Sequence, residues 1–311
     1  MKRRLTYITL ASALLLTACD TTDEDQSAAE ETTEELQETP EDTQTDTDVE
    51  NEDDKTEDEE NTDEDNEDSE DDDEDEDVTL EEQEVDYLYE VKSDNLAYVS
   101  VIEGKEATNQ VALLTYDDAP DKYALEIAEH LIEHDAPAIF FVNGMYIESE
   151  EGQEELKQLH EMGFAIGNHT HTHPNLSNIS EEQQTEEILK TSDLIEEIIG
   201  ERPRFFRAPF GVNTDHSKQV VEDDGMVLMQ WSYGYDFESE YMEADALADI
   251  MVNTNLLVPG ANLLMHDREW TRDATPFIIE GLRDKGYELL DPNLIRPVND
   301  EQTESEDESN A

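Results

Sequence analysis

Three histidines, His169, His171 and His173, fall within five residues of a chain that has eight in all. His169 and His173 are four apart, the spacing that turns two imidazoles to one face of a helical turn, where both can bind one divalent ion. Asp117 and Asp118 stand side by side upstream, and His266 and Asp267 stand downstream. Neighbouring side chains at a strand end point to different places, so one aspartate can bind metal while the other stays free. One carboxylate and two imidazoles hold an ion and leave a position open for water, and a second aspartate and a third histidine then serve as base and acid. This is the equipment for hydrolysis of an amide or an ester. His171 points away from such an ion, in a supporting or surface role. In the run Arg207-Ala208-Pro209-Phe210-Gly211, an arginine can pin a carboxylate and a glycine lets backbone approach a ligand. Each feature alone has a plainer reading, as a turn, a surface arginine or a capping histidine; their company gives them weight.

These residues need elements to carry them. Val111 to Thr115 reads as a buried strand that ends at the aspartate pair. Residues 123–134 have apolar side chains at helical spacing. Strands are expected at 138–142, 164–167, 205–206, 227–231, 262–265 and 287–290. Helices are expected at 151–162, 180–199, 244–255 and 275–285. Ser180 and Gln183 form a capping box for the longest helix, and Gly200 ends it. Strands that alternate with helices make a parallel sheet, open or closed into a barrel. Each polar cluster follows a strand, which puts the chemistry at the carboxyl ends of the strands.

Charge divides the rest of the chain. Its 311 residues carry a formal net charge of -68. Residues 20–86 hold 38 acidic side chains and one basic one, Lys55. Such a stretch repels itself, has little to bury, and is expected to be disordered. From residue 87 onward there are 48 acidic and 14 basic side chains, which excludes the basic footprint that nucleic acid requires. Lys2-Arg3-Arg4 and the short apolar run to Leu16 read as an export signal. Leu16-Thr17-Ala18-Cys19 resembles a bacterial lipobox, in which Cys19 is lipidated and holds the exported protein on the outer face of the cell membrane. An ordinary secretory signal with an incidental cysteine is the alternative. Cys19 is the sole cysteine, so an intrachain disulfide and a thiolate-rich metal site are excluded. The expected divisions are a signal peptide at 1–18, an acidic linker at 19–86, an enzyme domain at 87–298 and a disordered acidic tail at 299–311.

Five segments, in order, resemble the motifs of the NodB-homology polysaccharide deacetylases (carbohydrate esterase family four). They are Thr115-Tyr116-Asp117-Asp118, His169-Thr170-His171-Thr172-His173, Arg207-Ala208-Pro209-Phe210-Gly211, Trp231 to Phe237, and Leu263-Leu264-Met265-His266. The resemblance runs from Val111 to Leu290 and implies an α/β fold, a distorted (β/α) barrel of about seven to eight strands. It implies that Asp118, His169 and His173 bind the metal and that Asp117 is the base activating a metal-bound water. Arg207 orients Asp117, and His266 protonates the leaving amine. The Phe210 backbone N–H helps hold the oxyanion, and Pro209, Trp231 and Leu264 line the substrate site. Zinc suits this donor set first; cobalt, manganese and nickel also fit. The implied substrate is an acetylated polysaccharide, with the N-acetyl sugars of peptidoglycan favoured for a monomer at the cell surface. O-acetylated xylan or chitin oligomers are alternatives, as is a catalytically weakened glycan- or metal-binding lipoprotein. Three departures stand out. Ala119 replaces a glycine, so the loop after Asp118 must avoid positive φ there. Phe210 replaces a tyrosine. The fourth motif keeps Asp236 and an aromatic residue but lacks the first aspartate of D-x-x-D-W, so either a carboxylate that tunes Arg207 is missing or Asp236 serves alone.

Overall fold

The computed structural model describes residues 85–298. The export signal, Cys19, all but the last two residues of the acidic linker and the C-terminal tail lie outside the described residues. Among the described residues the strands are β1 (Tyr89–Lys92), β2 (Asn95–Val101), β3 (Val111–Ala119), β4 (Ile139–Val142), β5 (Ala165–Asn168), β6 (Phe205–Phe206), β7 (Val227–Leu228), β8 (Ala261–His266) and β9 (Glu288–Leu289). The helices are α1 (Ala124–Glu133), α2 (Glu150–Glu161), α3 (Glu181–Ile199), α4 (Asp215–Asp223), α5 (Ala244–Asn253) and α6 (Glu269–Asp284). None of these helices is long and apolar enough to cross a membrane.

The sheet runs β1-β2-β8-β3-β4-β5-β6-β7, and β9 also pairs with β3. The strands from β8 to β7 are mutually parallel, while β1 and β2 run antiparallel at one side. The chain beyond β7 almost closes the ring. The Gln230 N–H donates to the Leu96 carbonyl on β2 at 2.8 Å, and the Ser232 N–H donates to Asn262 O on β8 at 2.8 Å. The fold is the expected α/β barrel-like sheet.

Strand periodicity places the chemistry. Successive side chains alternate between the two faces. Val111 and Leu113 of β3 join Ile139, Phe141, Phe205, Val227 and Met229 in one cluster, the barrel interior. Leu114 and Tyr116 face the other way, toward Ile127 and Leu131 of α1 and Ile278 and Leu282 of α6. Continuing the inward row along β3 brings Thr115 and then Asp117 to the mouth. The same count brings Arg207 after Phe205 and His266 after Asn262 and Leu264. The apolar layer beneath the mouth stabilises it by about 1.5–3 kcal/mol for each large side chain buried.

The structure departs from the sequence expectations in several places. Strand β3 extends to Ala119, so both aspartates lie within it. Strand β7 is only two residues long. Helix α6 begins six residues before the expected start, with Pro276 inside it. Buried Thr271, Ala274, Ile278, Ile279 and Leu282 share one packed face, and that packing carries the helix through the proline. Helix α4 and the β1–β2 pair were not expected. Val220 and Val221 are the only large apolar residues in α4, too few for a periodic signal; a Thr214–Ser217 capping box starts it. The segment from His169 to His173 is not helical. Thr170 and His173 have φ of 68° and 58°, and Pro174 disfavours the right-handed helical region at His173. Ala119 avoids positive φ as expected, and the left-handed residue is Asp118, with φ of 63°.

Candidate metal centre and acid–base pair

Asp118, His169 and His173 each turn one ligand atom toward the others, all within 4.8 Å. His173 Nε2 lies 3.5 Å and His169 Nε2 3.8 Å from Asp118 Oδ1. Two donors bound tetrahedrally to one zinc stand about 3.4 Å apart, so the set fits a single small ion. Its chemistry fits too. His169 Nδ1 lies 2.7 Å from the Arg207 carbonyl, which holds the ring proton on Nδ1 and leaves the Nε2 lone pair free. Burial holds the His169 imidazole below its ordinary pKa despite Asp117 and Asp118, and a neutral ring is the metal-binding form. Burial works to raise Asp118, but His169, His266, His173 and Arg268 outweigh it and keep the carboxyl below its usual range. Arg268 Nη2 donates to Asp118 Oδ2 at 2.9 Å, leaving Oδ1 for the ion.

The two histidines converge through a tied loop, not a helical turn. The Thr170 N–H donates to Asn168 Oδ1 at 2.8 Å, and Asn168 Nδ2 reaches Ile188 O and Ser192 Oγ on α3. Asn143 Nδ2 donates to His169 O at 2.7 Å. Glu187 of α3 accepts from the N–H groups of His171 and Thr172 at 2.9 and 2.7 Å and from Thr172 Oγ1 at 2.7 Å. His171 turns away from the centre as expected, but it is buried rather than on the surface. Its Nε2 lies 3.0 Å from Glu148 Oε1 and 2.7 Å from Lys190 Nζ. Its ring fills the space beside Gly144, where an added Cβ would stand 2.1 Å from Nδ1.

Asp117 stands beside this centre, its Oδ2 3.6 Å from His169 Nε2. Its Oδ1 accepts from Arg207 Nη1 at 2.6 Å. Arg207 is fully buried, and burial pulls its pKa down against the opposing pull of Asp117. On the neighbouring strand β8, in register with Asp117, His266 Nδ1 meets Asp236 Oδ1 at 2.8 Å. Asp236 also accepts from the His266 N–H and from Thr271 Oγ1. Burial disfavours the His266 imidazolium, but Asp236, then Asp117 and Asp118, carry the ring above its ordinary pKa. Asp236 therefore serves His266 and not Arg207, which leaves the first of the two expected alternatives, a missing carboxylate partner for Arg207. The reason is geometric: β8 brings the His266 backbone and ring to the same carboxylate.

The remaining expected residues divide. Phe210 is exposed and packs edge-on to His173 at 4.9 Å, with φ of 59°. Phe237 stands in the same way against His266 at 5.9 Å. Pro209 is buried in its turn, and Leu264 is 3% exposed. Trp231 backs the Arg207 guanidinium at 5.9 Å and closes over Gly211. Sequence reasoning missed Asn143, Asn168, Glu187, Asn262 and Arg268, and gave Asp267 no role. Asp267 accepts from the N–H groups of Asp121, Lys122 and Tyr123, tying the start of α1 to the end of β8. Asn168 could have been found, since it touches the histidine run in sequence; nothing in the sequence marks Glu187.

The polysaccharide deacetylase profile matches residues 104–229. A peptidoglycan-N-acetylglucosamine deacetylase of Bacillus cereus is 34% identical over 195 residues, covering 60% of this chain and 70% of that protein. The crystal structure of the Bc1960 peptidoglycan N-acetylglucosamine deacetylase aligns with a TM-score of 0.53 at 28% identity, over 59% of this chain and 86% of that one. BA3943 of Bacillus anthracis, described as a CE4 family pseudoenzyme, aligns with a TM-score of 0.53 at 28% identity, over 58% and 62% of the two chains. With the barrel, the five motifs in order and this similarity taken together, the chain belongs to the polysaccharide deacetylase family.

Proposed function

We propose that this chain is a divalent-metal-dependent hydrolase that removes acetyl groups from N-acetylated sugars of a cell-wall glycan, peptidoglycan first. The observation that carries the reading is the pair of supported groups beside one donor set. Asp117 is held by Arg207, and His266 is held by Asp236, on neighbouring strands beside the donors Asp118, His169 and His173. Those three residues hold the metal, zinc foremost, with cobalt, manganese and nickel as alternatives. When bound, such an ion supplies Lewis acidity and lowers the pKa of water toward neutrality.

The protein's own groups do the rest. Asp117 takes a proton from the attacking water, with Oδ1 fixed on Arg207 so that Oδ2 faces the reaction. The backbone N–H of Phe210 donates to the oxyanion as the carbonyl carbon becomes tetrahedral. His266, kept protonated by Asp236, gives its Nε2 proton to the amide nitrogen. The C–N bond breaks, and acetate and a free amino sugar leave.

The B. cereus relative's name supports peptidoglycan as the substrate. The sequence at residues 1–19 supports export and attachment through a lipid on Cys19 to the outer face of the membrane, and in this reading the enzyme domain at 87–298 works as a monomer between acidic segments. Acetate release from N-acetylglucosamine oligomers, peptidoglycan and O-acetylated xylan, with metal supplied, tests the reading. Release from the first two is expected. Release from xylan alone makes the enzyme an O-acetyl esterase, and release from none removes the hydrolase.

A second reading, a weakened glycan binder, is favoured by one observation. Tyr233 stands where the fourth motif has its first aspartate and turns into the core, its hydroxyl on Met251 O at 2.8 Å. Binding of N-acetylglucosamine oligomers without acetate release separates this reading from the first.

A further inference from the structure

Arg207 carries its full charge into the barrel with a single carboxylate partner among the described residues, Asp117. Its guanidinium is packed face-on by Phe141 at 4.3 Å, and its Nε has no hydrogen-bond partner. The Nη1 end is shared by Thr115 Oγ1 and Asp117 Oδ1. The Nη2 end rests on Asn262 Oδ1 at 2.9 Å and on the Gln230 carbonyl at a longer 3.3 Å.

Asn262 is an anomaly in its own strand. Strand β8 is otherwise apolar up to His266, yet this carboxamide sits inside it at 1% exposure. Both of its ends are used. Oδ1 accepts from Arg207 Nη2 and, at 3.3 Å, from Thr115 Oγ1. Nδ2 donates to Gln230 O at 2.8 Å, the same carbonyl that Arg207 touches. The orientation of the amide is thereby fixed, since an arginine can only donate and a carbonyl can only accept. A carboxylate of the same shape would set an oxygen against Gln230 O, whereas an amide satisfies both neighbours.

From this geometry, and resting on the deacetylase reading above, we infer that Asn262 is a positioning residue for the reaction. It fixes the rotation of the Arg207 guanidinium, and through it the direction of the Asp117 carboxylate, while leaving the charge of Arg207 to Asp117 alone. It touches neither the metal donors nor the mouth, so its loss acts on catalysis and not on binding.

The test uses Asn262→Leu, Asn262→Asp, Arg207→Met and the Asn262→Leu/Arg207→Met double variant in the full chain. In Asn262→Leu, kcat falls about 10- to 100-fold, as a misplaced catalytic group requires, while KM and zinc affinity stay within about twofold. In Asn262→Asp, which keeps an acceptor on Arg207 but sets an oxygen against Gln230 O, kcat falls, though by less than in Asn262→Leu. Thermal unfolding supplies a readout independent of activity. Asn262→Leu lowers the melting temperature by about 5–10 °C beside Arg207 and by much less in the Arg207→Met background, because the two side chains are coupled. An unchanged kcat in Asn262→Leu, a loss in Asn262→Asp as large as in Asn262→Leu, or additive melting shifts overturn the inference. A native chain that releases no acetate removes the deacetylase reading instead, and the melting cycle then decides whether Asn262 holds Arg207.

Discussion

At the scale of single residues, the site depends on which neighbour each charged group has. In the proposed mechanism His266 is the acid; Asp236 offsets the cost of burying its proton, and the raised pKa keeps it protonated above the usual imidazole range. A group that must be protonated to act loses its function as pH rises through its pKa, so the alkaline limb of kcat/KM should lie above that of an ordinary histidine. Asp236→Asn removes the first of the charges that raise it. The limb is then expected to move to lower pH, with kcat reduced about 10- to 100-fold; a pH–rate profile of the two proteins checks this, and an unmoved limb contradicts the pairing. The sequence disclosed Asp117, Asp118, His169, His173, Arg207 and His266, because unusual residue types recur after strands. It could not disclose the partner of Asp236, which depends on how the loop between β7 and β8 folds back.

At the scale of elements, strand periodicity was the legible part. Counting by two along β3 brings Val111, Leu113, Thr115 and Asp117 to one face, and the core agrees. Helix α3 was legible at both ends, in its Ser180–Gln183 capping box and its left-handed Gly200. What local pattern did not reveal is that α3 also holds the histidine loop. Glu187 accepts three hydrogen bonds from residues 171 and 172, across 15 and 16 positions in sequence. The histidine loop carries left-handed residues at Thr170 and His173, which cost free energy unless the surroundings impose them. Glu187→Ala should therefore weaken zinc binding by about 10- to 100-fold, as loss of groups that orient metal ligands does. Titration with a competing chelator measures it, and undiminished affinity would show that Asn168 and Asn143 suffice to hold the loop.

At the scale of the whole molecule, the acidic balance and the proposed metal centre both bear on cations. The formal charge of -68 favours cations near the protein, while Arg268 and Arg207 offset the carboxylates at the mouth itself. Anything bound only by the folded state stabilises it, by about 2.7 kcal/mol at a hundredfold excess over Kd. Zinc at that excess is expected to raise the melting temperature of the chelator-treated protein by about 5–10 °C. An Asp118→Asn variant should show little of this rise, and scanning calorimetry reads both; a rise that survives the substitution would place the ion elsewhere.

The central claim is that Asp117 acts as a base and does not merely shape a metal site. The most direct measurement is acetate release from N-acetylglucosamine oligomers by the native protein and by Asp117→Asn, with bound zinc quantified in each. The account predicts equal zinc and a loss of about 10²- to 10⁴-fold in rate, the range expected when a general base is removed. Equal zinc with a rate within a few-fold of native would contradict it.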